Sequence, residues 1–223
     1  MGPPLFSPLM SVLRRLADRR DARSWSAWFR RRRSAHLASL LARVDGPLRI
    51  LDVGGEAVFW EHIPLPGHAE IVILNLDSEE QHAGRFTFVA GDARNLRYAD
   101  REFDVVVSNS VIEHVDDQAA MAREIRRVGK RYYVQTPNRR FVSDPHFLVP
   151  AYHLLPRRWR VALLQRFTIG WLQRARSRRE AEETVDSIRL LTAAELRALF
   201  PEATLWRERI AGMTKSLVVH YGW

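Results

Sequence analysis

The 223-residue chain has no cysteine, which removes disulfides, thiolate metal sites and thiol nucleophiles together. It has no apolar run near the ~18 residues that a membrane span needs. Its first apolar residues come before Arg14 and Arg15, the reverse of the charged-then-apolar order of a signal peptide. A cytoplasmic protein is the expectation. Internal repeats and low-complexity linkers are missing. The eight histidines are scattered, with no two at a metal-ligand spacing on one helix, so no metal is expected. Acidic side chains are the minority: 26 Asp and Glu stand against 35 Lys and Arg, a formal charge of +9. The excess is nearly all arginine, in blocks at 30–33, 139–140, 157–158 and 174–179. Either an anionic partner or solvated helix faces in an arginine-rich chain would account for it.

What is present is a soluble composition, 46% hydrophobic and 27% charged, in a length that suits one domain with insertions. The chain is organised around Leu48-Arg49-Ile50-Leu51-Asp52-Val53-Gly54-Gly55-Glu56. This reads as a short buried strand over 48–53 that breaks at two glycines, where a missing Cβ lets the chain turn sharply and lets a ligand approach the backbone. Asp52 would then be an acceptor facing a cation or hydroxyl groups.

Further apolar strands are expected at 71–74, 86–90, 103–107 and 131–134, each ending in a polar or glycine cluster: Asn75-Leu76-Asp77, Gly91-Asp92-Ala93, Ser108-Asn109 and Gln135-Thr136-Pro137-Asn138. Helical stretches such as 119–128 lie between the later ones. Alternation of this kind implies a mostly parallel sheet with helices on both faces and a ligand crevice along one edge.

The first 44 residues read as amphipathic helices. One opens at Ser7-Pro8 with Leu9, Val12, Leu13 and Leu16 at helical spacing, another carries Trp25, Trp28 and Phe29, and a third covers 35–44. They can pack on the core or lie peripherally on an anionic membrane. From about 140 to 186 the alternation is interrupted by Pro145, Pro150, Pro156 and a stripe of Trp159, Leu163, Phe167 and Trp171, which reads as an inserted helical cap. Thr192-Ala193-Ala194-Glu195 is a capping box opening a helix through Phe200. Two closing strands, 203–210 and 216–221, form an antiparallel hairpin through Gly212.

This order of motifs resembles the class I S-adenosylmethionine-dependent methyltransferases, in their small-molecule branch, over residues 45–138 and again over 188–221. The resemblance implies a Rossmann-like, seven-stranded, mostly parallel α/β sheet with an antiparallel final hairpin, helices on both faces and a helical cap insertion. The methyltransferase domain would run from 45 to 223, preceded by the helices of 1–44. By the family pattern Asp52, Gly54 and Gly55 lie under the methionine and ribose, and Asp92 and Ala93 meet the adenine. Ser108 and Asn109, with Glu113 and His114 beyond them, floor the transfer site. Two departures stand out. The three-glycine turn is cut to Gly54-Gly55, and the acid that usually ends the second strand is Asn75, with Asp77 two residues later. Asparagine can donate and accept with ribose hydroxyls but carries no charge.

Methyl transfer from a sulfonium is an in-line displacement of an activated leaving group, so alignment and water exclusion are the protein's main tasks. An acceptor that must lose a proton needs a base within hydrogen-bond reach; Glu113, His114 and, on the cap, Asp144 and His146 are the candidates. The cap's Phe147, Tyr152, Trp159 and Phe167 could line an apolar acceptor pocket. Arg139, Arg140, Arg157 and Arg158 at its mouth would favour an anionic or a lipid- or glycan-related small molecule. Two other functions stay open: a nucleic-acid methyltransferase using the arginine surface, disfavoured because no base-modifying or nucleic-acid-binding motif is present, and a methyltransferase-like interaction protein that has lost catalysis. A nicotinamide dehydrogenase would need the Gly-x-Gly-x-x-Gly spacing that the turn lacks.

Overall fold

A computed structural model describes residues 25–61, 63–142 and 149–223. The helix expected from Ser7, and the Asp144, Pro145, His146 and Phe147 readings, lie outside the described residues. Within them, one sheet organises the chain. Its strands are β1 (Arg49–Val53), β2 (Glu70–Asn75), β3 (Gln81–Ala83), β4 (Phe86–Ala90), β5 (Val105–Asn109), β6 (Tyr132–Pro137), β7 (Thr204–Ile210) and β8 (Met213–Tyr221). Their spatial order is β3-β4-β2-β1-β5-β6-β8-β7. Pairing is parallel from β4 through β6, and β8 returns antiparallel to β6 and to β7.

The sheet thus has eight strands where seven were expected. The extra one, β3, forms a hairpin with β4 around Gly84, which takes a positive φ of 63°. Its three residues are all exposed, so no apolar alternation announced it. The closing hairpin is tighter than expected. Ile210 pairs with Met213, leaving Ala211 and Gly212 as a two-residue loop with φ of 46° and 80°. Two left-handed residues in succession match the twist of the strands they join.

The strands bury both faces, as parallel strands covered on two sides must. In β1, Leu51 and Val53 enter one core while Ile50 enters the other, following the period of two. The first core is closed by helices α3 (Gln118–Val128) and α6 (Ala193–Leu199). In α3, Met121, Ala122, Ile125 and Val128 are buried at positions that share a face. Asp117 caps its start by accepting from the Ala120 N–H at 2.8 Å, and α6 carries the expected capping box of Thr192 and Glu195.

The other core is covered by α1 (Trp25–Leu41) and the short α2 (Ala57–Trp60). The two helices expected around the 30–33 arginine block are one continuous helix, because arginine is a good helix former and no breaker intervenes. Helix α1 sets Leu37, Leu40 and Leu41 against the sheet and stacks His36 on Trp206, ring centres 4.6 Å apart. Each buried aliphatic side chain contributes roughly 1.5–3 kcal/mol, against ~0–1 kcal/mol for an exposed ion pair, so these two cores hold the fold.

The cap contains α4 (Arg157–Arg166) and α5 (Arg178–Asp186) around a third, separate core of Tyr152, Val161, Leu164, Ile169, Ala175, Ala181 and Val185. The stripe of Trp159, Leu163, Phe167 and Trp171, expected at helical spacing, is carried by α4 only in part. Val161 and Leu164 face inward, Trp159 and Trp171 are exposed, and α4 ends at Arg166, before Phe167.

Candidate functional site

Residues 54, 75, 91–92 and 109–110 follow or end four neighbouring parallel strands, β1, β2, β4 and β5, so they share the carboxyl edge of the sheet. Chain order reverses between β1 and β5, and such a switch point is where open α/β sheets bind ligands.

The turn after β1 is set by close approaches. Gly54 has φ of 73°, and a Cβ there would lie 2.6 Å from Val111 Cγ2. Its N–H donates to the Leu74 carbonyl at 2.7 Å. A Cβ on Gly55 would land on the Asp52 carboxylate. Asp52 is therefore seated under the turn, 1% exposed, where Trp60 Nε1–H donates to its Oδ2 at 2.7 Å. Burial pushes its carboxyl up to about 7, against the pull of the Trp60 hydrogen bond, with the Glu56 charge adding to the rise. Asp52 Oδ1 and the Ser108 hydroxyl are both buried without a hydrogen-bond partner among the described residues.

Asn75 explains its own departure from an acid. Its Nδ2 donates to the Gly55 carbonyl at 3.0 Å, a bond that a carboxylate cannot make. Asn75→Asp should therefore cost about 1–3 kcal/mol, read as a lowered urea midpoint at unchanged slope; an unchanged midpoint would mean that the amide does not hold the turn. Asp77, two residues on, is exposed, as is its neighbour Leu76, a large apolar side chain 69% open at the end of β2.

Asp92 is half-exposed and tied. The Arg94 guanidinium donates through Nε at 3.0 Å to each carboxylate oxygen and through Nη2 at 2.7 Å to Oδ2, while its Nη1 reaches Asp116 at 2.6 Å. These bonds hold the Asp92 carboxyl below the usual carboxylate range. Ala93 is partly buried next to it.

On the β5 side, Ser110 adopts a left-handed φ of 59°, uncommon for a residue with a side chain. It is held there by two bonds to Gln135: its N–H donates to the carbonyl at 3.0 Å and its hydroxyl to Oε1 at 2.8 Å. Gln135 Nε2 donates in turn to Ser216 at 2.6 Å. This network fixes the bend that brings Val111 against Gly54, with Asn109 partly exposed beside it.

The base candidates separate, Asp144 lying outside the described residues. Glu113 is fully buried; its Oε2 accepts from the Thr136 hydroxyl at 3.0 Å and its carbonyl from the Arg189 N–H at 2.7 Å. It joins the turn after β5 to the end of β6 and to the returning cap, below the edge. His114 is exposed on the 3-10 turn Ile112–His114, and His146 lies outside the described residues. Of the arginines expected at the cap's mouth, Arg139 pairs with Glu195 at 2.9 Å and Arg157 with Asp186 at 2.6 Å. Trp60, Arg94, Leu76 and Ser110 were not among the sequence-derived site residues. The Asp-Ala-Arg spacing at 92–94 was the one local signal that could have exposed a contact.

Residues 60–132 match the model of a family described as a methyltransferase domain. No curated protein sequence matches the chain. Among solved structures, PH0226 protein from Pyrococcus horikoshii OT3 is similar with a TM-score of 0.53 at 16% identity, over 90% of this chain and 92% of that one. A SAM dependent methyltransferase from Aquifex aeolicus is similar with a TM-score of 0.51 at 9% identity, over 95% and 96%. The CurJ carbon methyltransferase reaches 0.54 at 10% identity, over 86% of this chain and 53% of that chain. The matched stretch is thus similar to a methyltransferase domain, and the architecture is the Rossmann-like α/β fold that these solved structures share.

Proposed function

We propose that this chain binds S-adenosylmethionine at the carboxyl edge of the sheet and transfers its methyl group to a small-molecule acceptor, anionic or lipid- or glycan-related. The observation that carries this reading is the turn at Gly54 and Gly55. It is closed so tightly over Asp52 and against Val111 that neither glycine can bear a Cβ, and it lies at the switch point beside two buried polar atoms with no partner among the described residues.

The residues present fit the cofactor. The backbone of the Gly54–Gly55 turn stands at the sheet edge, Asn75 keeps its amide oxygen for ribose hydroxyls, the exposed Leu76 and the partly buried Ala93 offer apolar surface to a purine, and Asp92 supplies an acceptor. When bound, the cofactor supplies a methyl group on a positively charged sulfur, so no protein nucleophile is required. What the chain contributes is placement. The Ser110–Gln135–Ser216 network and the buried Glu113–Thr136 bond hold the floor rigid, and such fixed alignment is the main source of rate in a displacement of this kind. His114, exposed on the turn after β5, takes a proton from an acceptor that must lose one.

Calorimetric titration with S-adenosylmethionine and with S-adenosylhomocysteine tests the reading. Saturable binding is expected, weakened about tenfold or more by Asp92→Ala, which removes one hydrogen bond from a charged acceptor. Absence of binding by folded protein would instead favour an interaction protein that keeps the fold without the reaction.

A further inference from the structure

The aromatic stripe of the cap is the feature that methyl transfer does not use. Leu155, Trp159, Leu163, Phe167 and Trp171 follow one another at four-residue spacing; Trp159 and Leu163 are on α4, Leu155 just before it and Phe167 and Trp171 after it. Helix α4 turns Val161 and Leu164 into the cap's core and leaves Trp159 outside it. Leu155, Trp159 and Trp171 are 38%, 56% and 48% exposed, and Leu154 just before the helix is exposed as well. Leu163 and Phe167 lie half-buried against the core. At the far end the chain reverses between Ile169 and Leu172, whose backbones exchange bonds at 3.0 and 2.9 Å, placing Trp171 at the tip.

Charge around the row is of one sign. Residues 149–176 include Arg157, Arg158, Arg160, Arg166, Arg174 and Arg176 and no aspartate or glutamate. The cap's described acids are on α5, where they are occupied: Glu180 accepts from the Arg176 N–H at 2.6 Å, and Glu182 pairs with Arg178 at 2.9 Å, Glu183 with Arg179 at 2.7 Å and Asp186 with Arg157 at 2.6 Å. Arg158, Arg166, Arg174 and Arg176 make no side-chain ion pair among the described residues.

We propose that this face of the cap docks on an anionic lipid bilayer, with Leu155, Trp159 and Trp171 entering the headgroup boundary and Arg158, Arg166 and Arg174 meeting lipid phosphates. Large exposed apolar side chains set among cations, here Leu154, Leu155, Trp159 and Trp171, suit an interaction surface. Tryptophan settles at the membrane–water boundary, arginine lays its stem along apolar surface while its head stays with phosphate, and each such cation adds attraction to anionic lipid. Single-stranded nucleic acid could also use arginine and tryptophan, by stacking, but the row interleaves its aromatics with Leu154, Leu155 and Leu163, which offer no stacking face and add area only toward hydrocarbon. Among the described residues no helix is long and apolar enough to cross a membrane, so the contact is with the surface. The cap joins the core through Arg139, whose N–H donates to the Leu191 carbonyl, and through Arg189, whose N–H donates to Glu113. Both anchors lie by the ends of β5 and β6, so docking would hold the sheet edge near the lipid.

The test is flotation of the full chain with vesicles of phosphatidylcholine alone and of phosphatidylcholine with phosphatidylglycerol. Binding to the mixed vesicles and not to the neutral ones is expected. Trp159→Ser with Trp171→Ser, and separately Arg158→Glu with Arg166→Glu, should each lower the bound fraction about tenfold or more. The four side chains are exposed, so the melting temperature should stay at its wild-type value; Leu154→Ser provides a milder apolar variant with a smaller loss in the same direction. Equal binding to neutral vesicles, undiminished binding by the tryptophan variant, or a loss confined to the arginine variant together with full competition by a single-stranded RNA oligomer would overturn the proposal. The last pattern would identify a general polyanion surface.

Discussion

Alanine at Gly55 should abolish cofactor binding in calorimetry and lower stability by about 1–3 kcal/mol, the usual cost of forcing an extra carbon into a filled site. The new methyl would land on the Asp52 carboxylate, which cannot move aside because Trp60 holds it and because it is surrounded by the buried face of β1 and α2. The turn itself must therefore lift, taking with it the Gly55 carbonyl that Asn75 holds. A double-mutant cycle identifies the cause. Asp52→Ala alone leaves a cavity and a stranded indole N–H, but it also removes the atoms that the new methyl meets. Gly55→Ala should cost less in that background than in the wild type, with a coupling of about 0.5–3 kcal/mol. Simple additivity would show that the two residues do not touch.

The second large effect is on pH dependence. The Asp52 carboxyl is raised from an ordinary 3.8 to about 7, mainly by burial. Between these values the folded chain binds more protons than the unfolded one, so this group makes stability fall as pH rises from about 4 to about 7, by an amount on the order of 4 kcal/mol. Asp52→Asn keeps an acceptor for the Trp60 N–H and removes the charge. The variant should match the wild type near pH 4 and exceed it in urea-unfolding free energy above pH 7. His36 works in the opposite sense. Burial, with the neighbouring His220 and Arg43 charges, lowers it from 6.5 to about 4. The folded chain then binds fewer protons across that window, and stability rises with pH. Partial exposure of the ring makes its share the smaller one. The wild-type profile contains both opposed slopes, with His220, also lowered by burial, adding to the rising side, and Asp52→Asn should uncover that rising histidine limb. A variant whose stability still declines toward pH 7 would mean that Asp52 is ionised and solvated in the folded chain.

What could be read in advance follows from how each signal is encoded. Strand β1 and its glycines, the closing helix with Thr192 and Glu195, and the hairpin at Gly212 are written in local residue order, and each was found. Strand β3 was missed because Gln81, His82 and Ala83 are all solvent-facing at an edge, where burial imposes no alternation. The cap's orientation was not legible because α4 carries two apolar sets at helical spacing, and only tertiary packing decides that Val161 and Leu164 go inward. The same limit applies to the candidate site. Its positions along the sheet edge were legible from strand endings, whereas the partners that decide what each group does were not. The indole of Trp60 reaches Asp52 through α2, Arg94 folds back on Asp92, and Thr136 meets Glu113 across the β5–β6 junction.

Strand order also has a consequence for the kinetics of folding. Strand β6 is buried along its whole length, yet one of its two neighbours, β8, arrives very late: Gln135 and Ser216, joined across that pairing, are 81 positions apart. A chain emerging amino terminus first can assemble β1 through β6 and still present β6 as an apolar edge with an open row of backbone donors and acceptors. Closing so long a loop is entropically slow, and an unpaired apolar edge is a template for pairing with another chain. The final hairpin is thus a late-arriving seal, and a chain cut before Thr204 would aggregate through β6 instead of folding as a shorter sheet.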